Sequence, residues 1–218
     1  MVGEAKDSVL LVVDVQNDFC HPEGLFAKVG LDLTGIQASV EKLLRLIDVA
    51  RSSGVPVIFV KTVHDGWNNS PGFVERHMRK AARAEICATG TWGAGYYRVE
   101  PTKDDCEVVK HRYSAFVGTT LEVILRSLAR ETVVVTGVTT NVCVESTVRD
   151  AYMRDYRPVL VEDCTGAPTR QEHESAVHNV RTYCGSVTDS ASLMQLWSQQ
   201  LTGIAGAHRA PLQLEVWK

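Results

Sequence analysis

Short runs of β-branched residues alternate with longer, helix-periodic patterns along nearly the whole chain, and this alternation restricts the fold more than any other property of the sequence. Residues 9–13 and 132–136 are almost unbroken Val, Leu and Thr and read as strands. Residues 57–60, 107–109, 159–161 and 186–188 are shorter strands of the same kind. Between them, residues 36–51 form a helical pattern with Val40, Leu43, Leu44, Ile47 and Ala50 on one face. Gly54 stops that helix and Pro56 opens the next strand. Further helices are expected over 121–129, 141–154, 171–183 and 190–200. Parallel strands need crossover connections, and helical crossovers between six strands cover both faces of a sheet. The expected class is therefore α/β: a three-layer α/β/α sandwich with a mainly parallel six-stranded sheet, Rossmann-like in arrangement.

The chain has 218 residues, enough for one domain with a full core. No repeat or low-complexity linker divides it, so residues 1–202 read as one domain and 203–218 as a tail. In that tail Leu212, Leu214, Val216 and Trp217 could pack on a partner subunit. One loop-rich excursion, residues 64–102, carries Trp67, Trp92, Tyr96 and Tyr97; long loops within compact domains are usually lids or binding elements. A net charge of −3 gives no footprint for nucleic acid or an anionic membrane. No apolar stretch approaches a transmembrane length, and the start lacks the basic and long apolar regions of a secretory leader. The six cysteines, at 20, 87, 106, 143, 164 and 184, form no CxxC pair. Free thiols in a reducing, cytoplasmic setting are the simplest account, and structural zinc is disfavoured.

One of these cysteines is unusually placed. Gly137-Val138-Thr139-Thr140-Asn141-Val142-Cys143-Val144 sets Cys143 after a strand and before a helical pattern, at the sheet edge where open α/β folds bind ligands. Unpartnered N–H groups and the helix dipole at such a place favour thiolate over thiol. A buried, inert cysteine is the alternative. Two more polar residues fall at strand ends on the same edge: Asp14 after residues 9–13 and Lys110 after residues 107–109. Separately, Asp14 reads as a turn or cap residue and Lys110 as a surface charge. Together with Cys143 they supply an acid–base group, a cation and a soft nucleophile.

The segments Asp14-Val15-Gln16-Asn17-Asp18-Phe19, Lys110-His111-Arg112-Tyr113-Ser114-Ala115-Phe116 and Gly137 to Val144 resemble the three signature segments of the isochorismatase-like cysteine hydrolases, in the same order. The resemblance spans roughly residues 8–190. It implies an Asp14, Lys110 and Cys143 triad, a cis peptide at Val138-Thr139, and an oxyanion hole built from the backbone N–H groups of Thr139 and Cys143. It also implies assembly as a homodimer or homotetramer. Cys143 argues against vinyl-ether hydrolysis, because true isochorismatases lack that nucleophile. Nicotinamidases carry an Asp-x-His metal segment where this chain has Lys61-Thr62-Val63-His64-Asp65, so no metal or other cofactor is expected.

Lys110 to Ser114 and Thr140 to Thr147 are most similar to the ureidoacrylate and carbamoyl-type amidohydrolases. This implies cleavage of a C–N amide or ureido bond in a small molecule. Phe19 and Tyr113 would wall the pocket, with Trp92 and His64 as further candidates, and Arg112 would anchor either a substrate carboxylate or a neighbouring subunit. A nicotinamidase-like carboxamide hydrolase is the alternative within the family. From other classes, a nucleotide-binding module is weakened by the absence of GxGxxG and GxxxxGK[ST]. A thiol redox protein is weakened by the absence of a neighbouring resolving cysteine.

Overall fold

The protein is described by a computed structural model covering residues 3–78 and 86–204. Six strands pair side by side, every one parallel to its neighbours. They are β1 (Ser8–Val13), β2 (Val57–Thr62), β3 (Cys106–Lys110), β4 (Thr132–Val138), β5 (Arg157–Gly166) and β6 (Ser186–Thr188), in the order β3-β2-β1-β4-β5-β6. The chain builds one half of the sheet outward from β1 and then returns to its other side. The carboxyl ends of β1 and β4 therefore flank the switch point where doubly wound sheets open a crevice.

Strand alternation sorts the core into two layers. Leu10 and Val12 of β1 face one layer, packed by α3 (Thr34–Ser52) through Ile36, Val40, Leu43 and Ile47, and by α8 (Ser190–Ile204) through Leu193 and Trp197. Val9, Leu11 and Val13 face the other. That layer holds Leu121 and Leu125 of α5 (Leu121–Ser127), Val148 and Ala151 of α6 (Glu145–Tyr152), and Val177 of α7 (Arg170–Asn179). Both faces of β1 are fully buried, which is why its sequence is a continuous apolar run instead of an alternating one.

Several boundaries differ from the sequence reading. β5 extends ten residues because its far end, Thr165 and Gly166, pairs with Gly137 and Val138 beyond a register shift. The helix expected from 141 begins as a π-wound turn, Thr140–Val144, and becomes α6 only at Glu145. The helix expected over 171–183 likewise ends at Asn179, in a second π-wound turn, Val180–Cys184. Lys110 is the last residue of β3 and does not lie past it. α8 runs through the expected boundary at 202 to Ile204, and residues 205–218 with their apolar side chains lie outside the described residues.

The excursion is partly regular. It contains α4 (Pro71–Met78) and a 3-10 turn, Trp92–Ala94, while residues 79–85 lie outside the described residues. An isolated bridge between Gln16 and Tyr96 fastens it to the sheet end, and a second, His64 with Ala88, joins its first residue to its return. The short helices α1 (Asn17–Cys20) and α2 (Leu25–Lys28) follow β1 at the same end.

Candidate active site

Backbone geometry at the switch point is set by two residues. Gly137 has φ +101°, and a Cβ there would stand 2.0 Å from the Val13 carbonyl oxygen, so only glycine lets β4 pass β1 as it leaves the sheet. Asp14, directly after β1, is left-handed at φ +52°, a conformation that short polar side chains tolerate better than most. Its N–H donates to Val60 at 2.8 Å and its carbonyl accepts from Gln16 at 2.8 Å.

The structure brings Asp14, Lys110 and Cys143 together. Lys110 Nζ lies 2.7 Å from Asp14 Oδ2, with the two side chains 1% and 0% exposed. Lys110 starts on the edge strand and must cross beneath β2 to reach β1. Thr62, the last residue of β2 and the register partner of Lys110, bridges the gap. Its hydroxyl accepts from Lys110 Nζ at 2.5 Å and donates to Asp14 Oδ1 at 3.0 Å. Lys110 also donates to the Arg112 carbonyl at 3.1 Å. Burial works against its charge, yet the Asp14 carboxylate and Cys143 hold its pKa above the ordinary 10.5.

Cys143 is buried beside both groups. Burial is the largest influence and pushes its thiol up to about 12; Lys110 pulls the other way, and the negative charge of Asp14 reinforces the rise. Burial thus opposes the pull toward thiolate that a helix start and a nearby cation exert. The turn is π-wound and α6 starts two residues later, so Cys143 is not the first residue of a long helix, and desolvation outweighs the nearby cation. The site thus sets a buried thiol beside the paired carboxylate and ammonium of Asp14 and Lys110. Attack on a bound carbonyl can then be coupled to proton transfer from sulfur to Asp14.

The peptide Val138-Thr139 is cis. Beyond it, the N–H groups of Val142 and Val144 both donate to the Thr139 carbonyl, at 3.1 and 3.2 Å. Single π-turns of this kind are frequent at functional sites. Thr147 secures the turn from α6: its buried hydroxyl donates to the Cys143 carbonyl at 2.7 Å and accepts from the Ala115 N–H at 3.0 Å. Two separate sequence segments are thereby tied into one site.

A cavity of about 330 Å³ opens onto Lys110, Thr139 and Cys143. Phe19, Phe26, Phe73, Ile86 and Val142 form apolar walls, with Thr62, His64, Gly72, His111, Arg112 and Tyr113 completing the lining. His64 is buried and stacked on Phe73, ring centroids 4.2 Å apart, with Nδ1 2.9 Å from Asn69 Oδ1. Arg112 donates through Nη1 to the carbonyls of Asn68 and His111. Of the residues singled out from sequence, Phe19, His64, Arg112, Tyr113, Thr139, Lys110 and Cys143 line this space, and Asp14 lies buried behind Lys110. Trp92 does not join them. It is half exposed, packs edge-on against His21, and meets the site only through its carbonyl, which accepts from Asn17 at 2.8 Å. Among the described residues, no group of three or more His, Cys, Asp and Glu side chains is placed to hold a metal ion.

Gln16, Asn17 and Asp18 were not singled out from sequence beyond their motif, yet they hold the site in shape. Gln16 is fully buried; its amide donates to the carbonyls of Thr62 and Ala94 and accepts from the Thr62 N–H. Asp18 accepts from the N–H groups of Leu25 and Cys87. The one signal available was negative: three polar residues in a stretch that the structure buries.

The family model described as "Isochorismatase domain" matches residues 8–192. A ureidoacrylate amidohydrolase from Methylobacterium radiotolerans is 31% identical over 215 residues, covering 92% of this chain and 83% of its own. Among solved structures, a cysteine hydrolase from Pseudomonas syringae pv. phaseolicola superposes with a TM-score of 0.80 at 24% identity, over 91% of this chain and 96% of the other. N-carbamoylsarcosine amidase from Thermoplasma acidophilum gives 0.69 at 30% identity, over 84% and 96%.

Proposed function

The chain belongs to the isochorismatase-domain family and is a hydrolase of carbon–nitrogen bonds other than peptide bonds; we propose that Asp14, Lys110 and Cys143 carry the reaction through a thioester. The single observation that supports this most is the buried Lys110–Asp14 pair set directly against the Cys143 thiol at the switch point.

Asp14 takes the thiol proton as sulfur attacks the carbonyl carbon, and returns it to the departing ammonia or amine. The thioester is then opened by water that Asp14 deprotonates. Lys110 keeps Asp14 oriented throughout and offsets negative charge as it forms on sulfur. The N–H groups of Thr139 and Cys143 receive the developing oxyanion, a contribution of about 3–4 kcal/mol per donor in comparable sites. No metal or cofactor takes part in this scheme. The substrate is a small ureido, carbamoyl or carboxamide compound. Supporting this are the cavity's modest volume, its aromatic walls at Phe19, Phe73 and Tyr113, and relatives named for ureidoacrylate and N-carbamoylsarcosine. Arg112 at the lining is the candidate anchor for a carboxylate. The protein acts in the cytoplasm as a homodimer or homotetramer, with the hydrolase domain running to the end of α8 at Ile204.

The test is ammonia release from a panel of ureido acids, biuret-like compounds, nicotinamide and simple carboxamides, with Cys143→Ala alongside. The variant is expected to fold and to lose turnover; turnover retained by Cys143→Ala would remove Cys143 from the nucleophile role. Activity on nicotinamide alone would move the substrate class to aromatic carboxamides.

A further inference from the structure

The turn carrying Cys143 has a second attachment that the scheme above leaves unused. Thr140 opens that turn and is fully buried, and its hydroxyl lies 2.9 Å from His173 Nδ1. These residues are 33 positions apart and meet because of how β5 ends. Gly166 pairs with Val138 at the exit of β4, and the chain then turns directly into α7. A capping box fixes the start of that helix: the Thr169 hydroxyl accepts from the Glu172 N–H while the Glu172 carboxylate accepts from the Thr169 N–H. His173 is the next residue, its own N–H bonded to the Thr169 carbonyl at 3.2 Å. The imidazole is thus presented from a capped first turn.

Burial keeps the His173 pKa below its ordinary value against the opposing influence of Glu162 and Glu174. An uncharged ring offers one donor and one acceptor, and a hydroxyl, which can give or take, satisfies Nδ1 in either tautomer. The π-wound turn needs such support. Its winding is less favourable than that of an α-helix, so its position relative to β4 must be set by contacts from outside. Thr147 holds the Cys143 carbonyl from the α6 side, and the Thr140 contact holds the opposite end of the turn from α7.

We infer that His173 is a positioning residue for Cys143, acting through the Thr140 hydroxyl to fix the turn that carries the thiol and its adjacent backbone N–H groups. His173 is not among the residues lining the Cys143 cavity, so its loss acts on turnover and leaves substrate affinity nearly unchanged. The inference rests on Cys143 being the nucleophile.

The experiment compares His173→Leu, His173→Asn, Thr140→Val and the His173→Leu/Thr140→Val double variant with wild type. Two readouts are used: ammonia release from the best substrate of the panel, and the substrate-free rate of Cys143 alkylation by iodoacetamide. His173→Leu and Thr140→Val should each lower kcat about tenfold with KM within about twofold. The double variant should be no worse than either alone, because both remove one interaction. His173→Asn, whose amide places a polar atom near the Nδ1 position, should recover most of the rate, and alkylation rates should follow the same order. The inference is overturned if His173→Leu retains kcat within about twofold, if the two losses multiply, or if His173→Asn is no better than His173→Leu. Should circular dichroism show His173→Leu unfolded, Thr140→Val and His173→Asn decide. Cys143→Ala in the same series separates the two readings. Its retained turnover removes the nucleophile, whereas an inactive Cys143→Ala beside an unimpaired His173→Leu removes only the positioning role.

Discussion

Replacing Lys110 with Met leaves the Asp14 carboxylate buried without its counter-charge. The two side chains are 1% and 0% exposed and 2.7 Å apart, so neither can turn to water. Removing one partner of such a pair costs about 3–5 kcal/mol, largely as uncompensated charge. Met follows the aliphatic stem of Lys, so little of the loss comes from a cavity. Urea unfolding at pH 7 should therefore show Lys110→Met less stable by about 3–5 kcal/mol. Adding Asp14→Asn should return most of that loss, because the remaining amide oxygen still accepts from the Thr62 hydroxyl. A loss under about 1 kcal/mol, or a double variant no more stable than Lys110→Met, would refute the view that this pair is charged and buried.

Three further outcomes follow from the same geometry. Gly137→Ala should destabilise by about 2 kcal/mol or more, since both its φ and the 2.0 Å approach to Val13 exclude a Cβ; a melting temperature within a degree of wild type would contradict this. Gln16→Leu leaves the Thr62 N–H and the Thr62 and Ala94 carbonyls without their amide partner. It should cost about 3 kcal/mol in urea unfolding and speed proteolysis near residues 86–97, and unchanged cleavage there would count against its role as a fastening. With the Cys143 thiol pushed up to about 12, its alkylation by iodoacetamide should rise about tenfold per pH unit from pH 7 to 9; a rate already level above pH 8 would mean a resting thiolate.

The parallel α/β class and the order of its elements could be read from residue patterns, because burial on both sheet faces writes itself into strands such as 9–13 and 132–136 as unbroken apolar runs. Asp14, Lys110 and Cys143 were visible for a related reason: the first two stand at strand ends and Cys143 in the turn after one, and parallel strands share one carboxyl edge. What patterns carry is one-dimensional period and position. Thr62 as the bridge between Lys110 and Asp14 depends on the β2–β3 register, and the meeting of His173 with Thr140 on the length of β5 beyond its register shift. Trp92 looked like a pocket wall because aromatic residues in long loops often are, but its ring went to His21 and only its carbonyl went to the site. The environment of the Cys143 thiol was also set in three dimensions. Sequence placed it near a helix start and a cation, which favour thiolate; only the folded packing fixed how deeply it is desolvated, and that burial outweighs the cation's pull.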